Sequence, residues 1–146
     1  CGRRNDALKL WFAWKEKGDA GWGRMVEEYI GLADYLQSLV ESHPRLEMMS
    51  SRVWSNVCFR YSPNDFTEVS NKANRSNDLN ELNTRIRDHL NLSGSFMVSR
   101  SNVGDSVVFR AVISNPKITT ESLEEFIDEI VSHGDEIIAS NEVDEY

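Results

Sequence analysis

The stretch "SVVFRAVISNP", residues 106–116, decides the reading of this chain. It has the make-up of a strand, since β-branched and aromatic residues run to Asn115 and Pro116, which stop it. Successive side chains in a strand point to opposite faces, so Val107, Phe109, Ala111 and Ile113 share one face and Val108, Arg110 and Val112 the other. Both faces are largely apolar. A small sheet backed by helices on one side should show polar residues on its second side, so the second face here is expected to need a cover. An arginine on a covered face requires an anion, because its charge is costly to bury alone and its planar fork matches a carboxylate or a phosphate. Two readings follow for Arg110. It pairs with an internal Asp or Glu, or runs its stem past Val108 and Val112 to water; or it projects into a cleft and grips an anionic ligand.

Upstream, "SFMVSRS" and "SVVFRAVIS" flank "NVGD", the pattern of a β-hairpin with Gly104 supplying a positive φ. Further back, "RLEMM" and "SNVCFRYSP" read as two more strands, the second alternating Val57, Phe59 and Tyr61 with Asn56, Cys58 and Arg60. Between these pairs, the Asn- and Ser-rich segment from Asn64 to Asn80 reads mostly as a mobile loop. A helix over about Leu79–Leu92 puts Leu79, Leu82, Ile86 and Leu90 on one stripe, and Gly94 closes it.

The chain opens with two helices. "ALKLWFAWKEKG" follows a cap at Asn5 or Asp6 and ends at Gly18, and Leu8, Leu10, Trp11, Phe12 and Trp14 cover nearly its whole circumference, which predicts burial on several sides. A second helix, from about Trp22 to His43, is stopped by Pro44. At the other end, Thr119 or Thr120 caps a last helix with Glu121 and Glu124 in its first turn and Leu123, Phe126, Ile127 and Ile130 on its buried face. The tail from Ser140 is expected to fray. The order ααββαββα is that of an α+β fold: leading helices over 1–44, a small, mostly antiparallel sheet with helices on one face over 45–139, and an acidic tail over 140–146.

The 146 residues suit one domain, and 40% hydrophobic residues suffice for a core. A net charge of −8 argues against a nucleic-acid partner. No apolar run nears the roughly 20 residues that span a bilayer, and no signal peptide is evident, so no membrane partner and a cytoplasmic setting are expected. Cys1 and Cys58 form no disulfide framework or zinc-like spacing, and no metal is expected. The phosphate-binding, nucleophile-elbow and zinc-helix motifs are absent from the sequence. His43, His89 and His133 are scattered near predicted helix ends, and "ESLEEFIDE" reads as a solvated helix face. "CGRR", running into a helix, offers backbone N–H groups and two charges to an anion, a weak signal by itself.

Together, "CGRRNDALKLWFAWKEKGDAGW", "NVCFRY" and "VVFRAVISNP" resemble the C-terminal part of the group II pyridoxal-phosphate (PLP) amino-acid decarboxylases, the family of glutamate, cysteine-sulfinate, aspartate, diaminobutyrate and aromatic amino-acid decarboxylases. The resemblance runs in order from Cys1 to about Asp135. It implies the small C-terminal domain of the aspartate-aminotransferase-like fold plus the helix leading into it, a large cofactor-binding domain outside this chain, and a homodimer with active sites at the subunit interface. It also implies a PLP-dependent carboxy-lyase (decarboxylase) of amino-acid metabolism. The family's cofactor lysine follows a histidine; none of Lys9, Lys15, Lys17, Lys72 or Lys117 does, so this stretch alone is expected to hold no cofactor, supply no catalytic residue and be inactive. Arg110 matches the family arginine implied to bind a substrate carboxylate, and "VISNP" is closer to the acidic-substrate branch. Gly2 and Arg3 are implied to approach the PLP phosphate or the partner subunit; Arg60 is assigned no role. The rival reading is a stand-alone α+β interaction or ligand-sensing domain that oligomerises through its apolar sheet face.

Overall fold

The computed structural model describes residues 4–63 and 75–143. Helix α1 spans Asp6–Ser42 and is two helices joined at Gly18, whose φ of 64 and ψ of 176 break the helical path. Glycine reaches that conformation without the penalty a Cβ would bring. Trp14 and Trp22 stack across the break at 5.6 Å, and the Trp14 indole donates to Asp19 Oδ1 at 2.7 Å, which fixes the bend. Asn5 occupies the cap position with no side-chain cap bond.

Strands β1 (Leu46–Met48), β2 (Asn56–Tyr61), β3 (Ser99–Val103) and β4 (Ser106–Val112) form one antiparallel sheet in the order β1-β2-β4-β3. Helix α2 spans Arg75–Ser93 and α3 spans Thr120–Val143. The three helices among the described residues pack on one side of the sheet. Phe59 and Phe109 are paired across β2 and β4 and their rings meet there; Phe59 also meets Phe126 of α3, which in turn meets Phe96. The second half of α1 adds Ala33, Leu36 and Val40 to the same core. Burial of each such valine, leucine or phenylalanine contributes roughly 1.5–3 kcal/mol. The second half of the leading helix, with Tyr29 and Leu32 beside these residues, therefore packs into the sheet's core.

Other expectations are corrected. Helix α2 begins at Arg75, inside the segment expected to be a loop, while residues 64–74 lie outside the described residues. The reason is tertiary: the Asn80 side-chain amide donates to Asp105 O at 2.8 Å and accepts from Val107 N at 2.7 Å, so an asparagine that reads as a loop former instead clamps the β3–β4 hairpin. Strand β3 starts at Ser99, later than "SFMVSRS" suggests; Phe96 turns to the core and Met97 is exposed. The turn residue Gly104 has φ 59, as its hairpin requires. Thr119 caps α3, exchanging bonds with Ser122 (Ser122 N to Thr119 Oγ1, 3.3 Å; Thr119 N to Ser122 Oγ, 3.0 Å). The helix continues to Val143, past the expected boundary at Ser140, and residues 144–146 lie outside the described residues.

The first helix departs most from expectation. Leu8, Leu10, Trp11, Phe12 and Trp14 are about half exposed rather than buried, because the Gly18 break carries this apolar arm away from the core.

Candidate functional site

Arg110 stands on β4 opposite Cys58 of β2 on one side and Ser99 of β3 on the other. Its side chain is exposed, and among the described residues it has no hydrogen bond or ion pair. The described residues thus give Arg110 no internal pair. Val112, two residues on along the same face, is 46% exposed. Val108, on the same face, is fully buried, which corrects the expectation of a uniformly open apolar face. The physical reason lies one rung away: Arg60 is held flat along the sheet by two bonds to Glu47 Oε2 (2.9 and 2.8 Å) and one to Ser106 Oγ (3.4 Å), beside Val108. The face therefore presents one neutralised arginine over a buried valine and one arginine open to an anion.

Chain periodicity placed Arg110 on this face but could not show that Arg60 has an internal partner. Glu47 lies opposite Arg60 in the β1–β2 register, so the pair depends on a strand alignment not legible in the sequence.

The remaining candidates are placed as follows. Gly2 and Arg3 lie outside the described residues. His43 Nδ1 accepts the Arg45 amide at 3.2 Å. His133 is in the middle of α3, not near its end, because the helix is longer than the sequence suggests; it lies between Glu129 and Glu136 and meets the His89 ring edge-on at 5.6 Å. No group of three or more metal-ligating side chains occurs among the described residues. Glu121, Glu124, Glu125 and Asp128 line an exposed face of α3, as expected. The Glu121 carboxyl is held below its ordinary value by bonds to its own backbone amide, Thr119 and Thr120.

The described lysines Lys9, Lys15, Lys17 and Lys117 are all exposed, and Lys9 pairs with Asp6 while Lys15 sits over the Trp11 ring. None shares the Arg110 face. The described residues do not fit as a PLP site. No helix among them is long and apolar enough to cross a membrane.

Among the described residues, a four-stranded antiparallel sheet is backed on one side by three helices, the first of them long and kinked, and carries an open arginine on its other face, which makes the fold α+β. Residues 1–62 match the family described as the pyridoxal-dependent decarboxylase conserved domain. Mouse CSAD in its apo form superposes with a TM-score of 0.81 at 26% identity, over 92% of this chain and 28% of that one. Oryza sativa TDC, solved with PLP and tryptamine, gives 0.78 at 24% over 93% and 28%. The glutamate decarboxylase domain of the Vibrio parahaemolyticus diaminobutyrate-pyruvate transaminase and L-2,4-diaminobutyrate decarboxylase gives 0.75 at 22% over 92% and 27%. The family model covers residues 1–62 of the 146, and the chain spans little more than a quarter of the length of the solved chains it matches.

Proposed function

We propose that this chain is the C-terminal domain of a PLP-dependent L-amino-acid α-decarboxylase acting on an acidic amino acid: glutamate, aspartate or cysteine sulfinate. The observation that carries the reading is Arg110, exposed and without a partner among the described residues, on the sheet face opposite the helices. A guanidinium so placed binds a carboxylate through two parallel hydrogen bonds, and it keeps its charge at every physiological pH. PLP, held by a large domain of the same polypeptide, would supply the electron sink that decarboxylation needs. Arg110's part is to fix one carboxylate so that the scissile bond is oriented; a misplacement of an ångström there lowers the rate by orders of magnitude.

In the same reading the protein is a cytoplasmic homodimer, and the exposed arm of Leu8, Leu10, Trp11, Phe12 and Trp14 is covered by the large domain or the partner subunit. Gly2 and Arg3 approach the cofactor phosphate or that partner. The choice of an acidic substrate rests on the "VISNP" resemblance. Mouse CSAD and the tryptamine-bound TDC share this fold, so the fold by itself does not choose between substrates. A stand-alone oligomerising domain is disfavoured, because Val108, half of its supposed interface, is already buried within the chain.

The test is CO2 release by the full-length enzyme from glutamate, aspartate, cysteine sulfinate and tryptophan. Arg110→Ala is expected to lower kcat/KM by about a hundredfold or more, with partial recovery in Arg110→Lys. Unchanged kinetics in Arg110→Ala, or a preference for tryptophan, would overturn the corresponding half of the proposal.

A further inference from the structure

Arg60 and Arg110 stand on the same open face of the sheet, and the residue opposite each of them makes the difference between the two. Glu47 is directly opposite Arg60 in the β1–β2 register, and its carboxylate accepts two bonds from that guanidinium, at 2.9 and 2.8 Å. Directly opposed residues of an antiparallel pair point to one face with Cβ atoms about 4.5–5.5 Å apart, a gap that a glutamate spans. Ser99 is directly opposite Arg110 in the β3–β4 register. Its side chain ends at the hydroxyl, well short of where a glutamate places its oxygens. Ser99 is exposed and, like Arg110, has no hydrogen bond among the described residues.

The other neighbours of Arg110 offer an anion less. Cys58, opposite it on β2, is 7% exposed, and its thiol, a weak donor, lies 3.8 Å from Asn56 Oδ1. Along β4 the neighbours on the same face are Val108 and Val112, which carry no polar side-chain atom. The Arg110 fork and the Ser99 hydroxyl are thus the strong donors of this rung, set on adjacent strands. Among the described residues β3 is the outer strand of the sheet, so no further strand crowds Ser99. An ionised carboxylate accepts about four hydrogen bonds, of which a guanidinium fork takes two in parallel. A hydroxyl on the adjoining strand is placed to donate to a lone pair that remains.

We propose that Ser99 is a substrate-binding residue of the Arg110 site. The carboxylate that Arg110 holds lies between the two side chains, as the Glu47 carboxylate lies against Arg60, and the Ser99 hydroxyl donates to it. This deepens the Arg110 reading and rests on it. The short side chain leaves room for the ligand, and donors on two strands hold its carboxylate from both sides.

The experiment uses the full-length enzyme with glutamate, aspartate and cysteine sulfinate as substrates. Ser99→Ala removes the donor, and KM for the best of the three is expected to rise about tenfold with kcat within about twofold, the pattern of lost uniform binding. Ser99→Thr keeps a hydroxyl and should stay near the parent value. Ser99→Glu copies the Glu47 arrangement and should pair with Arg110 from within, raising KM by about a hundredfold or more. That pairing should also appear as a coupling between Ser99→Glu and Arg110→Ala in a thermal-denaturation cycle, a readout independent of turnover. Parent KM in Ser99→Ala, or an equal rise in Ser99→Ala and Ser99→Thr, while Arg110→Ala remains defective, would overturn the role of Ser99 and leave that of Arg110 standing. Additive stabilities in the cycle would overturn it as well, since the two positions would then be out of reach of each other. Unchanged kinetics in Arg110→Ala itself would remove the basis of both.

Discussion

Asn83 serves as a strand partner for Tyr61. Its amide accepts from Tyr61 N at 2.8 Å and donates to Tyr61 O at 2.9 Å, with a further bond to Leu79 O at 2.8 Å, all fully buried. A side chain on α2 thus completes the backbone bonding of β2 where neither β1 nor β4 does.

Asn83→Ala should therefore leave a buried donor and a buried acceptor of Tyr61 unpaired. At about 1–3 kcal/mol for each of the two orphaned groups, the expected loss of stability is about 2–6 kcal/mol, measured by chemical denaturation. Asn83→Asp keeps the shape but loses the donor; a loss no larger than that of an exposed substitution would contradict the clamp.

Gly134 lies against the Tyr61 ring, where an added Cβ would sit 2.6–2.8 Å from three ring carbons. In an open helix Gly→Ala gains about 1 kcal/mol. Here overpacking, typically about 1–3 kcal/mol, opposes that gain against a ring with no room to move. Gly134→Ala is expected to lower the melting temperature, and Gly134→Ala with Tyr61→Leu to recover part of it.

The Tyr61 hydroxyl donates to Asp135, which also pairs with Arg45. Burial, then the bond to Asp135, pushes the phenol well above its usual 10.0. A raised value means that the folded state holds this proton more tightly than the unfolded one. The associated stability is complete below pH 10 and is lost as the pH rises through the folded value. Denaturation midpoints should thus fall above about pH 10, and less steeply in Tyr61→Phe; parallel curves for the two proteins would refute the assignment.

The apolar arm predicts concentration-dependent association of the 146-residue chain when expressed alone. Substituting Leu10, Trp11 and Phe12 by polar residues should reduce light scattering without lowering stability, since all three are more than half exposed. A drop in stability instead would place the arm on the core.

The α+β class, the four strands and the buried faces of α2 and α3 were legible because each rests on local periodicity: Leu79, Leu82, Ile86 and Leu90 are buried at the spacing a helix demands, and Phe59 and Phe109 at the alternation a strand demands. Asn80 and Asn83 were not legible. Their composition favours loops, and only partners 20 or more residues away make them helical clamps.

The sequence by itself determined the elements, their order and the presence of an arginine in the last strand, since these follow from side-chain size, branching and period. The tertiary structure decided which arginine stays open. Arg60 and Arg110 are alike in a one-dimensional reading, and strand register alone sets Glu47 against the first and Cys58 against the second. A carboxylate neutralises only the charge it can reach, and reach is a property of the folded sheet.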